Sequence, residues 1–287
     1  MTEQSLCVVT ATTNWDRAEA CIDSWRTQAS GDLAVIVVVN GVADADRRPP
    51  PTKAGVEYWI PGPNYLGTVP AFKQGTDRAL DRGFEIIANL HDDLEIHEGG
   101  WDLKVIKHFV RHPACGLLGF GGAIGLGAEG MYDRPYDPMS LARVGFRSNL
   151  VDAEAHGLRS LLPERVACLD GFSQVGRREF WLGEKPLRSH DQGYPEKGFP
   201  RPWTFLDDIG FVHHFYDGAL GALAARRGWE TWYLPLRATH YGGRTAVGDQ
   251  GYQRWAQTQQ EKGDEGFWET AHKIGYSAFK DVLPLRV

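Results

Sequence analysis

The sequence predicts an α/β fold, with a mostly parallel central sheet flanked by helices. Two observations carry this. Several apolar runs are continuous and β-branched rather than alternating, which marks strands covered on both faces. Amphipathic stretches of helical length lie between them, three of them closed by glycine, as expected of βαβ units with right-handed crossovers. A chain of 287 residues can bury one large core or two modest ones.

The elements follow in order. Residues 6–11, Leu-Cys-Val-Val-Thr-Ala, read as a first buried strand. Asn14 and Asp16 offer N-caps for a helix over Asp16–Gln28, ended by Gly31. The run Ala34–Val39 is a second buried strand, closed by Asn40-Gly41. Residues 47–53, with three prolines, read as a surface loop. Val56–Ile60 is a third strand, and Pro61-Gly62-Pro63-Asn64 forces a turn. A helix over Thr68–Arg82 is capped by Gly83. Phe84–Leu90 is a fourth strand that runs straight into His91-Asp92-Asp93. Trp101–His112 reads as a helix, and residues 116–130 as a strand followed by a flexible glycine-rich loop. The stretch 131–164 has no clear period and reads as irregular. Residues 166–171 form a strand and turn, and 183–203 a polar loop with the character of a lid. Tyr216–Arg227 is a helix stopped by Gly228, and residues 231–234 return as a strand. The tail beyond Gly248 reads as helix-rich.

Composition narrows the function. Hydrophobic residues at 42% and charged residues at 24% are ordinary for a soluble globular protein. A net charge of −6 gives no general attraction to nucleic acid or anionic lipid. Cys7, Cys21, Cys115 and Cys168 form no CxxC pair, which argues against a zinc knuckle. Cys7 and Cys168 sit in apolar runs and read as buried reduced thiols. No basic leader precedes an apolar segment at the N-terminus, and no apolar run approaches the ~18 residues of a membrane span. A cytoplasmic protein without stable membrane insertion is expected. Ten tryptophans and ten tyrosines supply either ordinary core packing or platforms for sugar rings.

Four local features can carry chemistry. His91-Asp92-Asp93 ends a buried strand, where ligands sit in open α/β sheets. Adjacent acids there either cap a helix or face solvent, or they hold a hard divalent cation. Asn64, Gly67, Ala71 and Gly75 are spaced for close packing of a helix on a sheet. Asp217 opens the Tyr216 helix, either as a plain first-turn acid or as a base. His240 precedes a glycine pair just beyond a strand, as a structural histidine or a metal ligand.

Taken in order, these segments resemble the GT-A glycosyltransferases, in particular the inverting family-2-like group, over residues 5–245. The matching pieces are Thr10–Arg17, Asn64–Gly75, His91-Asp92-Asp93 followed by Leu94-Glu95, and Leu169–Phe172. His214–Asp217 running to Gly228-Trp229, then Leu234-Pro235 and His240-Tyr241-Gly242, complete the set. The resemblance implies a GT-A catalytic domain at 1–245. Its nucleotide-sugar half would span about 1–115, its acceptor and catalytic half about 116–245, and a helical extension 246–287. It implies a nucleotide-sugar donor, UDP-linked by preference, held by Thr10, Ala11, Thr12, Asn40, Asn64, Gly67, His91 and Asp92. Lys73 or Arg78 would reach the phosphates. Mn²⁺ or Mg²⁺ would be bound by Asp93 and His240. Asp217 would act as base in an inverting transfer, with Asp207-Asp208, and Asp208 in particular, as the competing catalytic candidate. The acceptor would be a saccharide or another hydroxyl-bearing molecule, a modified DNA base included. Two departures stand out: Asn40 replaces an acid that contacts the base, and His91 takes the first place of the metal triplet. The rival readings are a non-catalytic sugar-binding protein, a sugar nucleotidyltransferase and a metal-dependent hydrolase. The nucleotidyltransferase expects a glycine-rich opening loop that Thr10–Arg17 lacks, and the hydrolase expects more His and Asp ligands.

Overall fold

The computed structural model describes residues 5–41, 53–62, 64–127, 143–151, 157–184, 186 and 200–242. Beyond these it describes Gln253, Gln257, Ala278, Phe279, Val282 and 285–287. Strands β1 (Leu6–Thr12), β2 (Ala34–Val39), β3 (Val56–Trp59) and β4 (Ile86–Leu90) form a parallel block in the order β3-β2-β1-β4. Helices α1 (Trp15–Gln28) and α2 (Thr68–Asp81) make the crossovers. Asn14 caps α1 as its spacing predicts, accepting from the Arg17 N–H at 3.1 Å, a cap worth about 1 kcal/mol.

Side chains on successive residues of a strand point to opposite faces, and this divides the core in two. Cys7, Val9, Ile36 and Ile87 pack with Phe72 of α2 on one side. Leu6, Val8, Val35, Val37 and Ala88 pack with Trp25 of α1 on the other, joined by Trp101, Val105 and Phe109 of α3 (Trp101–Arg111). The strands lie between two apolar layers, which is why their sequences are continuous rather than alternating.

The sheet then continues through strands whose pairing the sequence does not reveal. β6 (Cys115–Gly119) and β12 (Glu230–Tyr233) are parallel to each other. β11 (Ser173–Arg177) lies antiparallel between β4 and β6, and the pair β9 (Glu164–Arg165) closes the edge. The expected mostly parallel α/β sheet is therefore present, interrupted by one antiparallel strand and ended by another. Two helices, α4 (Arg178–Leu182) and α5 (Pro202–Asp208), join α2 and α6 (Tyr216–Arg226) over one face. β5 (Leu94–Ile96) and β13 (Ala238–His240) form a separate antiparallel ribbon.

Two expectations are corrected. The glycine-rich stretch is not a flexible loop over its described part: it forms β6 and then β7 (Gly121–Leu126), almost wholly buried. Its glycines provide room. A Cβ on Gly116 would lie 2.7 Å from the Trp229 side chain, and one on Gly119 2.7 Å from the Ser173 carbonyl. The stretch read as irregular contains β8 (Arg143–Ser148), which pairs antiparallel with β7 in a second small sheet with β10 (Cys168–Leu169). The last strand, β14 (Leu285–Arg286), also joins β7, so the end of the predicted helical extension returns to this sheet. The supposed lid, residues 183–203, falls largely outside the described residues, as does most of 246–287. All four cysteines are buried and unbridged, and no helix of the described residues is long and apolar enough to cross a membrane.

The small-residue spacing in α2 is a packing device. A Cβ on Gly75 would stand 2.3 Å from Val9 Cγ1 and 3.0 Å from Val38 Cγ2. Gly75→Ala should therefore cost about 1–3 kcal/mol in urea unfolding; an unchanged midpoint contradicts the close approach. On α3, His108 is buried beside His112 and Trp232, and burial, with the His112 and Arg111 charges behind it, brings its pKa down to about 4. The unfolded chain then binds the proton that the fold refuses. His108 stability is present above pH 6.5 and is lost as pH falls toward 4. His108→Leu should flatten the stability profile across that window.

Candidate metal and nucleotide site

A cleft of about 270 Å³ opens at the carboxyl ends of β1, β2 and β4. Ala11 and Thr12 end β1 there, Asn40 follows β2, and His91-Asp92-Asp93 follow β4. Asp170, Gly171 and the segment His213–Asp217 form the facing wall. Sequence separation is overcome by backbone pairing. β13 lies against β5 with His240 opposite Leu94, and the Tyr241 N–H donates to the Asp93 carbonyl at 3.0 Å. The His91 N–H donates to the Phe172 carbonyl at 3.0 Å. These bonds deliver His240 beside Asp93.

His91, Asp93 and His240 each present one ligand atom, all within 4.8 Å of one another. Asp93 Oδ1 is buried and meets no donor in good hydrogen-bonding geometry; His240 Nε2 stands 3.3 Å away and His91 Nδ1 3.8 Å. A buried carboxylate oxygen flanked by two imidazoles is a donor set that suits a divalent ion, so the residues fit a metal. Burial brings His91 down to about 4, against the pull of the Asp93 charge. Burial also works to raise Asp93, yet His240 holds its carboxyl below the usual range. Both shifts favour the metal-binding forms, a neutral His91 ring and an ionised Asp93 carboxylate.

Asp92 does other work. Its Oδ2 accepts from Thr12 Oγ1 at 2.6 Å and from Arg17 Nη2 at 2.8 Å. Burial pushes it up to about 6, with Arg17 opposing. Arg17 is thereby held at the cleft, a cation that the sequence marks only as the end of the matching segment Thr10–Arg17. Asn40 is committed to the fold as well: its amide donates to the Gly67 carbonyl at 3.1 Å and accepts from the Leu66 N–H at 2.8 Å. It latches the turn before α2. Gly67 is required there, because a Cβ would stand 2.4 Å from Val212 Cγ1.

On the facing wall, Asp217 Oδ2 pairs with Arg143 Nη1 at 2.9 Å, and its Oδ1 accepts from the Gly218 N–H at 2.8 Å. The same guanidinium lies 3.7 Å from Asp170. Burial raises the Asp217 pKa, Arg143 opposes, and Asp170 adds to the rise. Phe215, two residues before Asp217, is the one non-glycine among the described residues with positive φ, at 61°. Such strain is tolerated where neighbours over-determine it, and the Val69 N–H bond to the Val212 carbonyl ties this segment to α2. His213 Nδ1 meets both Thr68 Oγ1 at 2.7 Å and the Tyr65 hydroxyl at 3.0 Å, and burial brings His213 down to about 3.

Of the residues expected from sequence, Ala11, Thr12, Asn40, His91, Asp92, Asp93, Asp217 and His240 meet at this cleft. Thr10 is fully buried in β1, Asn64 is exposed, and neither lines it. Lys73 pairs with Asp207 at 2.9 Å and Arg78 pairs with Glu57, so both cations are engaged elsewhere. Asp208 sits at the end of α5, off the cleft lining. Asp170, Arg143, Arg17 and Tyr65 are additions. Arg143 had no signal, because it lies in the stretch without period.

No family model and no curated protein matches the chain. Among solved structures, the chain is similar to a mannosyltransferase from Pyrobaculum calidifontis in complex with GDP-Man and Mn²⁺. The identity is 15% and the TM-score 0.46, covering 98% of this chain and 71% of that one. It is also similar to a fragment of Staphylococcus aureus TarS in complex with UDP-GlcNAc. There the identity is 12% and the TM-score 0.46, covering 96% and 71%.

The Asn40 latch gives a direct test. Asn40→Ala should destabilise the chain by about 1–3 kcal/mol, because two backbone groups lose their partner. Asn40→Asp should not restore stability, since a carboxylate cannot donate to the Gly67 carbonyl. Full stability in Asn40→Asp, read by urea unfolding, contradicts the latch.

Proposed function

We propose that the chain is a metal-dependent glycosyltransferase of GT-A type. It moves a sugar from a nucleotide-diphosphate sugar, UDP-linked by preference, to an acceptor hydroxyl, with inversion. The observation that supports this best is the buried Asp93 oxygen between two imidazoles at the strand ends, with the half-buried Asp217 carboxylate on the opposite wall. Among the described residues the cleft carries four aspartates, Asp92, Asp93, Asp170 and Asp217, against two arginines, Arg17 within it and Arg143 beside Asp217 and Asp170. A bare diphosphate is repelled by that balance, and a cation reconciles the two.

Asp93 and His240 would hold Mn²⁺ or Mg²⁺. Such an ion, when bound, neutralises the charge that gathers on the departing nucleoside diphosphate. Arg17, oriented by Asp92, faces the same phosphates. Ala11, Thr12 and Tyr65 border the space for the nucleoside. Asp217 accepts the proton of the acceptor hydroxyl, and its raised pKa makes it a better base than a solvated carboxylate. Arg143 and the Gly218 N–H hold that carboxylate in place, one on each oxygen. The acceptor is a saccharide or another hydroxyl-bearing molecule, a modified DNA base included. A metal-dependent hydrolase is the second reading, because two imidazoles and a carboxylate also suit an ion that activates water. Product analysis separates the two: transfer gives a new glycosidic bond, hydrolysis a free sugar.

Asp93→Ala should abolish metal-dependent UDP binding in calorimetry; unchanged binding removes its ligand role. Asp217→Asn should keep UDP binding and lower turnover by about 10²–10⁴-fold. Retained turnover would move the base to another cleft carboxylate, Asp170 first. NMR of the product should show an inverted anomeric configuration.

A further inference from the structure

Tyr216, beside Asp217, settles what His91 does. Its hydroxyl lies 3.1 Å from the Gly171 carbonyl and 2.7 Å from His91 Nε2. A phenol has one hydrogen, and a carbonyl can only accept. With the Tyr216 hydrogen directed at the Gly171 carbonyl, both contacts are satisfied when His91 Nε2 donates to the phenol oxygen. In the neutral ring this places the lone pair on Nδ1. That nitrogen faces Asp93 Oδ1 at 3.8 Å. Two acceptors thus point at one another across a gap too long for a hydrogen bond. Ligands about 2.1 Å from a common ion stand roughly 3–4 Å apart, so the same gap suits a shared cation.

The ring is held from several sides. Phe72 stacks on it with an interplanar angle of 14° and a centroid distance of 6.2 Å. A Cβ on Gly171 would stand 2.7 Å from the Tyr216 hydroxyl, so the glycine is what admits that oxygen. The His91 main chain is tied to the Phe172 carbonyl. Donating the remote ring N–H to an oriented acceptor is how metal-binding histidines are commonly fixed.

We propose that His91 is a third protein ligand of the metal site, through Nδ1, with Tyr216 as the residue that positions it. The inference rests on the reading of Asp93 and His240 as metal ligands. It also changes the expected ion. Two imidazole nitrogens and one carboxylate oxygen favour first-row transition ions, whereas Mg²⁺ takes oxygen ligands and keeps its waters. The site should rank Co²⁺ above Mn²⁺ and Mn²⁺ above Mg²⁺.

The test uses Mn²⁺ and UDP with the full-length chain, read by electron paramagnetic resonance. The wild type should bind Mn²⁺ with nitrogen hyperfine couplings, and His240→Ala should keep a nitrogen coupling supplied by His91. Excess Mg²⁺ should fail to displace Mn²⁺, and Co²⁺ should succeed. Tyr216→Phe, which preserves the ring but not the acceptor, should weaken Mn²⁺ binding about 10–100-fold. Loss of every nitrogen coupling in His240→Ala, or ready displacement by Mg²⁺, overturns this inference while leaving Asp93 and His240 as ligands. No Mn²⁺ binding by the wild type overturns the metal reading itself. The wild-type spectrum and the Mg²⁺ competition need no substitution, so a variant that fails to fold does not decide the outcome.

Discussion

The site depends on one constraint: a carboxylate oxygen, Asp93 Oδ1, is buried at the end of a strand without a donor in hydrogen-bonding geometry. A charge in that position must be balanced. The fold answers with two imidazoles and an opening toward solvent rather than with a lysine or arginine. Asp92, one residue earlier, shows the contrast. It is also buried, but Thr12 and Arg17 occupy it. One acid of the pair is a structural anchor for a cation at the rim. The other, Asp93, is the acid to which the proposed ion is assigned.

The rest of the architecture serves that placement. The parallel block β3-β2-β1-β4 gathers strand ends at one edge. α2 sits close enough to β1 and β2 that Gly75 has no room for a side chain, and this keeps Phe72 against His91. The antiparallel β11 places Phe172 and the preceding Gly171 beside β4, and the β5–β13 ribbon brings His240 to Asp93. Three remote segments therefore converge through backbone hydrogen bonds, which hold a site more rigidly than side-chain contacts on loops.

Local pattern exposed much of this, and the misses share a cause. Buried parallel strands have continuous apolar sequences, so β1, β2 and β4 were legible, as were α1, α2 and α6 with their glycine stops. The position of His91-Asp92-Asp93 followed from the strand before it. What stayed hidden depends on long-range pairing. The glycines of β6 and β7 look flexible in sequence, yet a side chain would collide with Trp229 and the Ser173 carbonyl in β6, and with Phe172, the Cys168 carbonyl and Arg286 in β7. β8 is too exposed to show a period, so Arg143 and its pairing with Asp217 had no signal. Asn40 looked like a substitute for a base-reading acid. Its partners, the backbone groups of Leu66 and Gly67, become visible only when the turn folds back on it. The departure at His91 had no visible reason in its triplet, because its ring partner Tyr216 lies far along the chain.

The central claim is that this cleft receives a nucleoside diphosphate through an ion held at Asp93. Crystals grown with Mn²⁺ and UDP, with diffraction recorded at the manganese absorption edge, address it most directly. The account predicts one anomalous peak between Asp93 and His240, in contact with the diphosphate oxygens. UDP lying in the cleft with no manganese peak beside Asp93 would contradict it.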